Sequence, residues 1–280
     1  MRFFAFLFAV VLLAGCGGGG GDDDDDAAPP ATATTESTQT ETGAETGPTP
    51  GEFTSFGVYF LRGGQVAPVF WSVPKTEAVA TAALEALFSG PNPEEAAAGV
   101  ETEIPKGTKL MSLDHSDGVA TVDVSPEFDA LREPDSMDAS LAQITFTLTQ
   151  FPTIRRVWVA VQGEPVGSQS RPSTRATFPT LVPLILIEHP ALGESVSSPV
   201  RVSGTASVFE ATLRVRLQDV DGKTLFEDSV TASEGAPGRG TFEVEVPFTE
   251  EGPATLSAFS PSAKDGTEQH GFAVSIVLAP

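Results

Sequence analysis

The chain has 280 residues, 40% of them apolar, which is enough for about two packed domains and too much for a wholly disordered protein. Its formal charge of -22 argues against a nucleic-acid binder, which needs a basic footprint, and against electrostatic docking onto anionic lipid. One cysteine excludes an internal disulfide or a multi-cysteine zinc site, and three histidines leave few general bases or metal ligands.

Residues 1–15 carry one positive charge, Arg2, followed by the uncharged run Phe3 to Ala14. That run is too short to span a bilayer and fits the core of a signal peptide. It closes on Leu13-Ala14-Gly15-Cys16, which resembles the lipobox of bacterial lipoproteins. Small residues precede the cut, and the thiol of Cys16 is expected to accept a diacylglyceryl group, with palmitate among the acyl chains. Two or more such chains hold a protein firmly to a membrane, where one holds it only marginally. Localisation at the extracytoplasmic face of the cell membrane follows as an expectation.

Residues 16–52 begin with five glycines and five aspartates and continue in Ala, Thr, Pro, Glu and Gly, with almost nothing apolar. Such a segment cannot offset its ordering entropy, so an acidic tether without structure is predicted, with a reach of about 30–35 Å. Asp22 to Asp26 lack the spacing and turn glycine of a calcium loop.

A folded domain is predicted over residues 53–167. Gly57 to Leu61 and Val66 to Val73 read as strands around the turn Arg62-Gly63-Gly64-Gln65. Val79, Ala83, Leu84, Leu87 and Phe88 form a helical stripe that Gly90-Pro91 ends. Asn92 to Gly107 reads as a long surface connection. Lys109 to Leu113 and Val119 to Val124 form a hairpin pattern around Asp117-Gly118, a pair suited to a tight turn with positive φ. A second helix, capped by Ser136, carries the stripe Leu141, Ile144, Leu148 and Phe151; Pro152 stops it, and Val157 to Val161 is a final buried strand. This order predicts a compact α+β domain with a mixed sheet and two helices packed on one sheet face.

The same residues carry a resemblance. Tyr59-Phe60-Leu61, the helix end Leu87-Phe88-Ser89-Gly90-Pro91, Ile104-Pro105-Lys106-Gly107-Thr108, Val119 to Ser125, Gln143-Ile144 and Val157-Trp158-Val159 resemble the GerMN domain. That domain belongs to sporulation and spore-germination lipoproteins and to related envelope proteins. The resemblance covers about residues 54–167 and implies a role in sporulation or germination.

Residues 168–183 are polar, with Arg171, Pro172, Arg175 and Pro179, and read as a linker. Seven strands are then predicted over 184–280, with clear alternation in Leu213, Val215 and Leu217 and turns at Asp221-Gly222 and Asp265-Gly266. Seven short strands at roughly ten-residue spacing predict an all-β immunoglobulin-like sandwich, here without its disulfide. Ile187 to Pro190, Gly193, Ser198 to Ala206 and Phe209-Glu210-Ala211 look like the immunoglobulin-like domain of bacterial spore-germination proteins, a module that commonly follows a GerMN domain.

Candidate sites are few. His115 stands between Asp114 and Ser116 with Asp117 nearby, but neighbours on one strand point to opposite faces and cannot form a triad. Asp219-Val220-Asp221-Gly222 opens like a calcium loop and lacks the continuation, so a hairpin turn is expected. His189 before Pro190 is expected to serve a turn. Glu94-Glu95 and Glu250-Glu251 fall in predicted loops, with nothing around them that marks a buried acid. Tyr59, Trp71 and Trp158 sit in or beside strands, where core packing is expected and stacking on sugar rings is the functional alternative.

A non-enzymatic envelope lipoprotein is therefore predicted, with no cofactor and no metal, binding or scaffolding through peptidoglycan or envelope proteins. Two other readings stay open: a peptidoglycan-active enzyme or the activator of one, and a subunit of a ring or filament.

Overall fold

The computed structural model describes residues 52–130, 133–166, 171–262 and 264–279, which fall in one compact unit. Its first part is α+β. The first two strands, β1 (Phe53–Arg62) and β2 (Gln65–Pro74), pair antiparallel over ten rungs. Gly63 and Gly64 close the hairpin at φ 59° and 75°, a primed turn that residues with a side chain adopt poorly.

Helix α1 (Val79–Ser89) is rich in Ala and Leu and buries Ala83, Leu84, Ala86 and Leu87. It ends where Gly90, at φ 79°, returns its N–H to the Leu87 carbonyl at 3.1 Å. The connection read as loop then holds a short helix, α2 (Pro93–Ala97), and a two-residue strand, β3 (Val100–Glu101), paired to β1. Asn92 and Glu95 form a reciprocal capping box around Pro93, which starts α2 without any buried side chain.

Strands β4 (Leu110–Ser116) and β5 (Val119–Val124) form the expected hairpin, with Asp117 and Gly118 at φ 53° and 77°. Helix α3 (Pro134–Thr149) crosses to β6 (Arg156–Val161), which pairs parallel to β5, and the two-residue β7 (Glu164–Pro165) closes this sheet. Ser136 lies inside α3 instead of capping it. The N-cap is Glu133, and Pro134 at the first turn starts the helix because its missing N–H would have no helical partner there.

The strands thus make two sheets, β2-β1-β3 and the mixed β4-β5-β6-β7, and α1 and α3 join both in one core. α3 is buried well beyond its predicted stripe. Ser140, Gln143, Thr145 and Thr147 are fully buried with Ile144 and Leu148, because the helix meets α1, β1, β6 and the segment near residue 175.

The second part is a β-sandwich. One sheet is β13 (Gly240–Val246), β10 (Val200–Ala206) and β8 (Ile185–His189). The other runs β12 (Thr224–Thr231), β11 (Thr212–Asp219), β14 (Gly252–Pro261), β15 (Glu268–Ala279) and the short β9 (Ser195–Ser197). The seven expected strands are present and β9 is an eighth. It pairs parallel to β15, so the first strand of the sandwich changes sheets beyond His189. Leu213, Val215 and Leu217 are fully buried, as their alternation requires.

The two parts share backbone. Phe70 of β2 donates to the Leu192 carbonyl at 2.9 Å, and the Leu192 N–H returns to Pro68 at 3.2 Å. A residue between β8 and β9 therefore covers the outer edge of the β1–β2 sheet, where unpaired polar groups would invite a foreign strand.

Candidate functional site at the junction of the two parts

Tyr59 lies in the middle of β1, paired with Pro68 of β2, and is 2% exposed. Its hydroxyl donates to Glu188 Oε2 at 2.9 Å. The same carboxylate oxygen accepts Arg175 Nη1 at 2.6 Å, while Arg175 Nε donates to Thr149 Oγ1 at 2.9 Å at the end of α3. The guanidinium lies 4.7 Å from the Phe146 ring centre and 5.4 Å from that of Tyr59. A weakly hydrated planar cation suits such an aromatic bed.

Burial, reinforced by the Glu188 charge, pushes the Tyr59 phenol far above its ordinary range and outweighs the opposing pull of Arg175. The guanidinium is held above its ordinary value: Tyr59 and Glu188 together overcome the burial that would lower it. The cluster is therefore a neutral phenol with a charged pair. It ties β1 and α3 of the first part to β8 of the second.

A cleft of about 640 Å³ opens beside it, lined by Phe56, Phe70, Gln150, Arg175, Glu188 and His189 among others. Gln150 is fastened to β1 by two bonds to Gly57, accepting from its N–H at 3.0 Å and donating to its carbonyl at 2.6 Å. His189 Nδ1 stands 3.3 Å from Glu194 Oε2, which also accepts the Ala191 N–H at 2.9 Å. These bonds shape the turn after β8, the role expected of His189.

The other sequence candidates are scattered. Cys16 lies outside the described residues. His115 Nε2 bonds the Thr153 carbonyl at 2.8 Å, while Ser116 Oγ meets Asp117 Oδ2 at 3.5 Å. Asp219 Oδ1 accepts the N–H groups of Asp221 at 3.0 Å and Lys223 at 2.9 Å, an Asx turn that serves the hairpin. Glu95 accepts the Asn92 N–H at 2.8 Å within the capping box, beside Glu94. Glu250 sits 3.5 Å from Lys223 and accepts the Thr249 N–H at 3.1 Å, and Glu251 is exposed. Trp71 is half-buried against Phe60, with ring centres 6.5 Å apart, and Trp158 is half-buried on β6.

Of the sequence candidates, Tyr59 and His189 reach the junction, and only Tyr59 belongs to the charged cluster. Sequence reasoning missed its partners Arg175 and Glu188. Glu188 left a usable signal: a lone carboxylate closing the apolar run Leu184 to Ile187 needs a compensating donor.

An α+β domain locked to an immunoglobulin-like sandwich defines the class. Residues 57–167 match the family described as "Sporulation and spore germination", and residues 184–267 match "Immunoglobulin-like domain of bacterial spore germination". The chain thus carries a domain of the sporulation and spore-germination family followed by an immunoglobulin-like germination domain. It is similar to the first GerMN domain of the sporulation protein GerM from Bacillus subtilis, at 26% identity over 44% of this chain and 95% of that one, with TM-score 0.36. The tandem GerMN domains of the same protein align at 18% identity over 70% of this chain and 62% of that one, with TM-score 0.37. No curated protein matches the chain. Neither family description names a reaction.

Proposed function

We propose that this is a lipid-anchored scaffold of the cell envelope, linked to sporulation or germination, that binds without catalysing a reaction. In this reading Cys16 carries the lipid and residues 16–52 lift the folded part off the headgroups. The two domains then present one fixed surface to envelope proteins or to peptidoglycan. The observation that carries the reading is the Tyr59–Arg175–Glu188 cluster together with the β2–Leu192 pairing. Two modules joined by a half-buried charged cluster and shared backbone keep a set geometry, which a scaffold needs. A hinge enclosing a substrate needs an interface free to open.

Metabolic labelling with a palmitate analogue tests the anchor. Wild-type chain should be labelled and pellet with membranes, and Cys16→Ala should do neither. A Cys16→Ala chain that still pellets after washing overturns it. Incubating the purified protein with peptidoglycan tests the absence of catalysis: release of fragments that survives removal of contaminating hydrolases overturns that half of the reading.

A further inference from the structure

Arginine is scarce in this acidic chain and most of it is engaged. Arg62, Arg175, Arg201, Arg214, Arg216 and Arg239 each donate from the guanidinium to a carboxylate or a carbonyl oxygen. The side chains of Arg155, Arg156 and Arg171 have no such acceptor among the described residues. Arg155 lies over Gly118, where an added Cβ would come within 2.7 Å of its Nη2. Arg156 and Arg171 instead line one cleft of about 600 Å³.

Backbone pairing builds this cleft. Val157 and Ser173 exchange N–H to carbonyl bonds of 2.9 and 2.7 Å, which lays the segment after Arg171 along β6. The buried Leu141 of α3 and Phe178 form an apolar wall, and Asp138, one helical turn from Leu141, supplies a carboxylate. The cleft shares no lining residue with the one at the junction, and among the described residues its charged groups are two cations and one anion.

Among the described residues no carboxylate forms an ion pair with either arginine. The chain's overall field repels anions, so an anion held here must be recognised at short range. Guanidinium groups match carboxylates in planar, forked hydrogen bonds. Asp138 works against a polyanion such as a phosphodiester chain and offers an acceptor to an ammonium or amide N–H. We infer that the Arg156–Arg171 cleft binds a short peptide bearing a free carboxylate and a nearby amino group. The inference rests on the extracytoplasmic reading only for the source of such a peptide, the stem peptides of the wall.

Calorimetric titration of the full chain with L-Lys-D-Ala-D-Ala, free at both ends, tests it. Wild-type protein should bind, and amidation of the C-terminal carboxylate should weaken binding at least tenfold. Arg156→Gln and Arg171→Gln should each weaken it about tenfold, while Arg155→Gln leaves it unchanged. Asp138→Asn should weaken binding of the free peptide and not of its N-acetylated form. Circular dichroism and melting temperature establish that each exposed-site variant is folded. The proposal is overturned by wild-type protein that does not bind at millimolar peptide, by folded arginine variants that bind normally, or by inorganic phosphate or poly(glycerol phosphate) displacing the peptide at equal concentration. Any of these outcomes with intact lipidation of Cys16 leaves the anchor standing.

Discussion

Tyr59 Oη donates to Glu188 Oε2 at 2.9 Å, a bond between residues 129 positions apart that joins the centre of β1 to the end of β8. Arg175, from the connecting segment, completes the pair, with side chains 27% exposed for Arg175 and 20% for Glu188. Removing one member strands the other in a place where water screens it poorly. Arg175→Met should therefore lose about 2–3 kcal/mol, since it leaves the Glu188 carboxylate without its cation and Thr149 without its donor, whereas Tyr59→Phe should lose about 1–1.5 kcal/mol. Urea denaturation measures both. The arginine variant should also split the transition into two as the domains unfold separately; a single transition of unchanged midpoint would show that the cluster does not couple them.

Tyr59 is the chain's one tyrosine, so absorbance at 295 nm reports it alone. Its folded pKa is raised, chiefly by burial and next by the Glu188 charge. Below about pH 10, the unfolded value, the phenol is protonated in both states and its contribution is intact. Above that pH the unfolded state releases a proton that the folded state keeps, so stability falls as pH rises. Phenolate absorbance should appear only together with loss of circular dichroism, and Tyr59→Phe should flatten the alkaline slope. A reversible phenolate signal near pH 10 in folded protein would contradict the burial of this hydroxyl.

Much of the fold is legible in short-range signals. The Gly63-Gly64 and Asp117-Gly118 turns, the Leu84/Leu87 stripe closed by Gly90, and the alternation at Leu213, Val215 and Leu217 all lie where local physics puts them. The elements that escape are those without an apolar period. Helix α2 buries nothing and rests on its Asn92–Glu95 capping box, β9 has three residues, and the cap of α3 is made by Glu133 and Pro134 ahead of a tempting Ser136. The junction is harder still. Arg175 stands in a polar segment whose composition says only that it is solvated. Its partner Glu188 is 13 residues on, and its aromatic bed, Tyr59 and Phe146, comes from distant elements.

Gly204 marks a close approach inside the sandwich. A Cβ built there would stand 2.0 Å from the Leu186 carbonyl oxygen and 2.9 Å from Phe242 Cζ. The first contact is with the backbone of the paired strand β8, which cannot yield without breaking the ladder. Gly204→Ala should lose about 2–3 kcal/mol, in the range of a forced core insertion. Gly193, at φ 85° with nothing within 4 Å of an added Cβ, is constrained by conformation alone, and Gly193→Ala should lose about 1 kcal/mol. Thermal melts of both variants separate crowding from backbone preference, and equal losses would contradict the packing argument.

The outer face of the five-stranded sheet carries a charged network. Glu227 on β12 accepts Arg216 Nε at 2.6 Å and Arg214 Nη1 at 2.8 Å, both from β11, while Arg216 also meets Glu268 of β15 and lies 4.6 Å from the Phe259 ring centre. The hydrogen bond from Arg216 leads, ahead of that from Arg214, in holding the Glu227 carboxyl below its usual range. A depressed folded pKa contributes stability above the unfolded value of about 4.3 and loses it as pH falls through the folded value. Water still reaches the network, with Glu227 25% exposed, so the contribution is that of a connected surface group, about 0.5–1 kcal/mol. Glu227→Gln should show that deficit at pH 7, a smaller one in 1 M NaCl, and none near pH 2. Urea melts at the three conditions decide the matter: a deficit that persists at pH 2 would assign the loss to packing instead of charge.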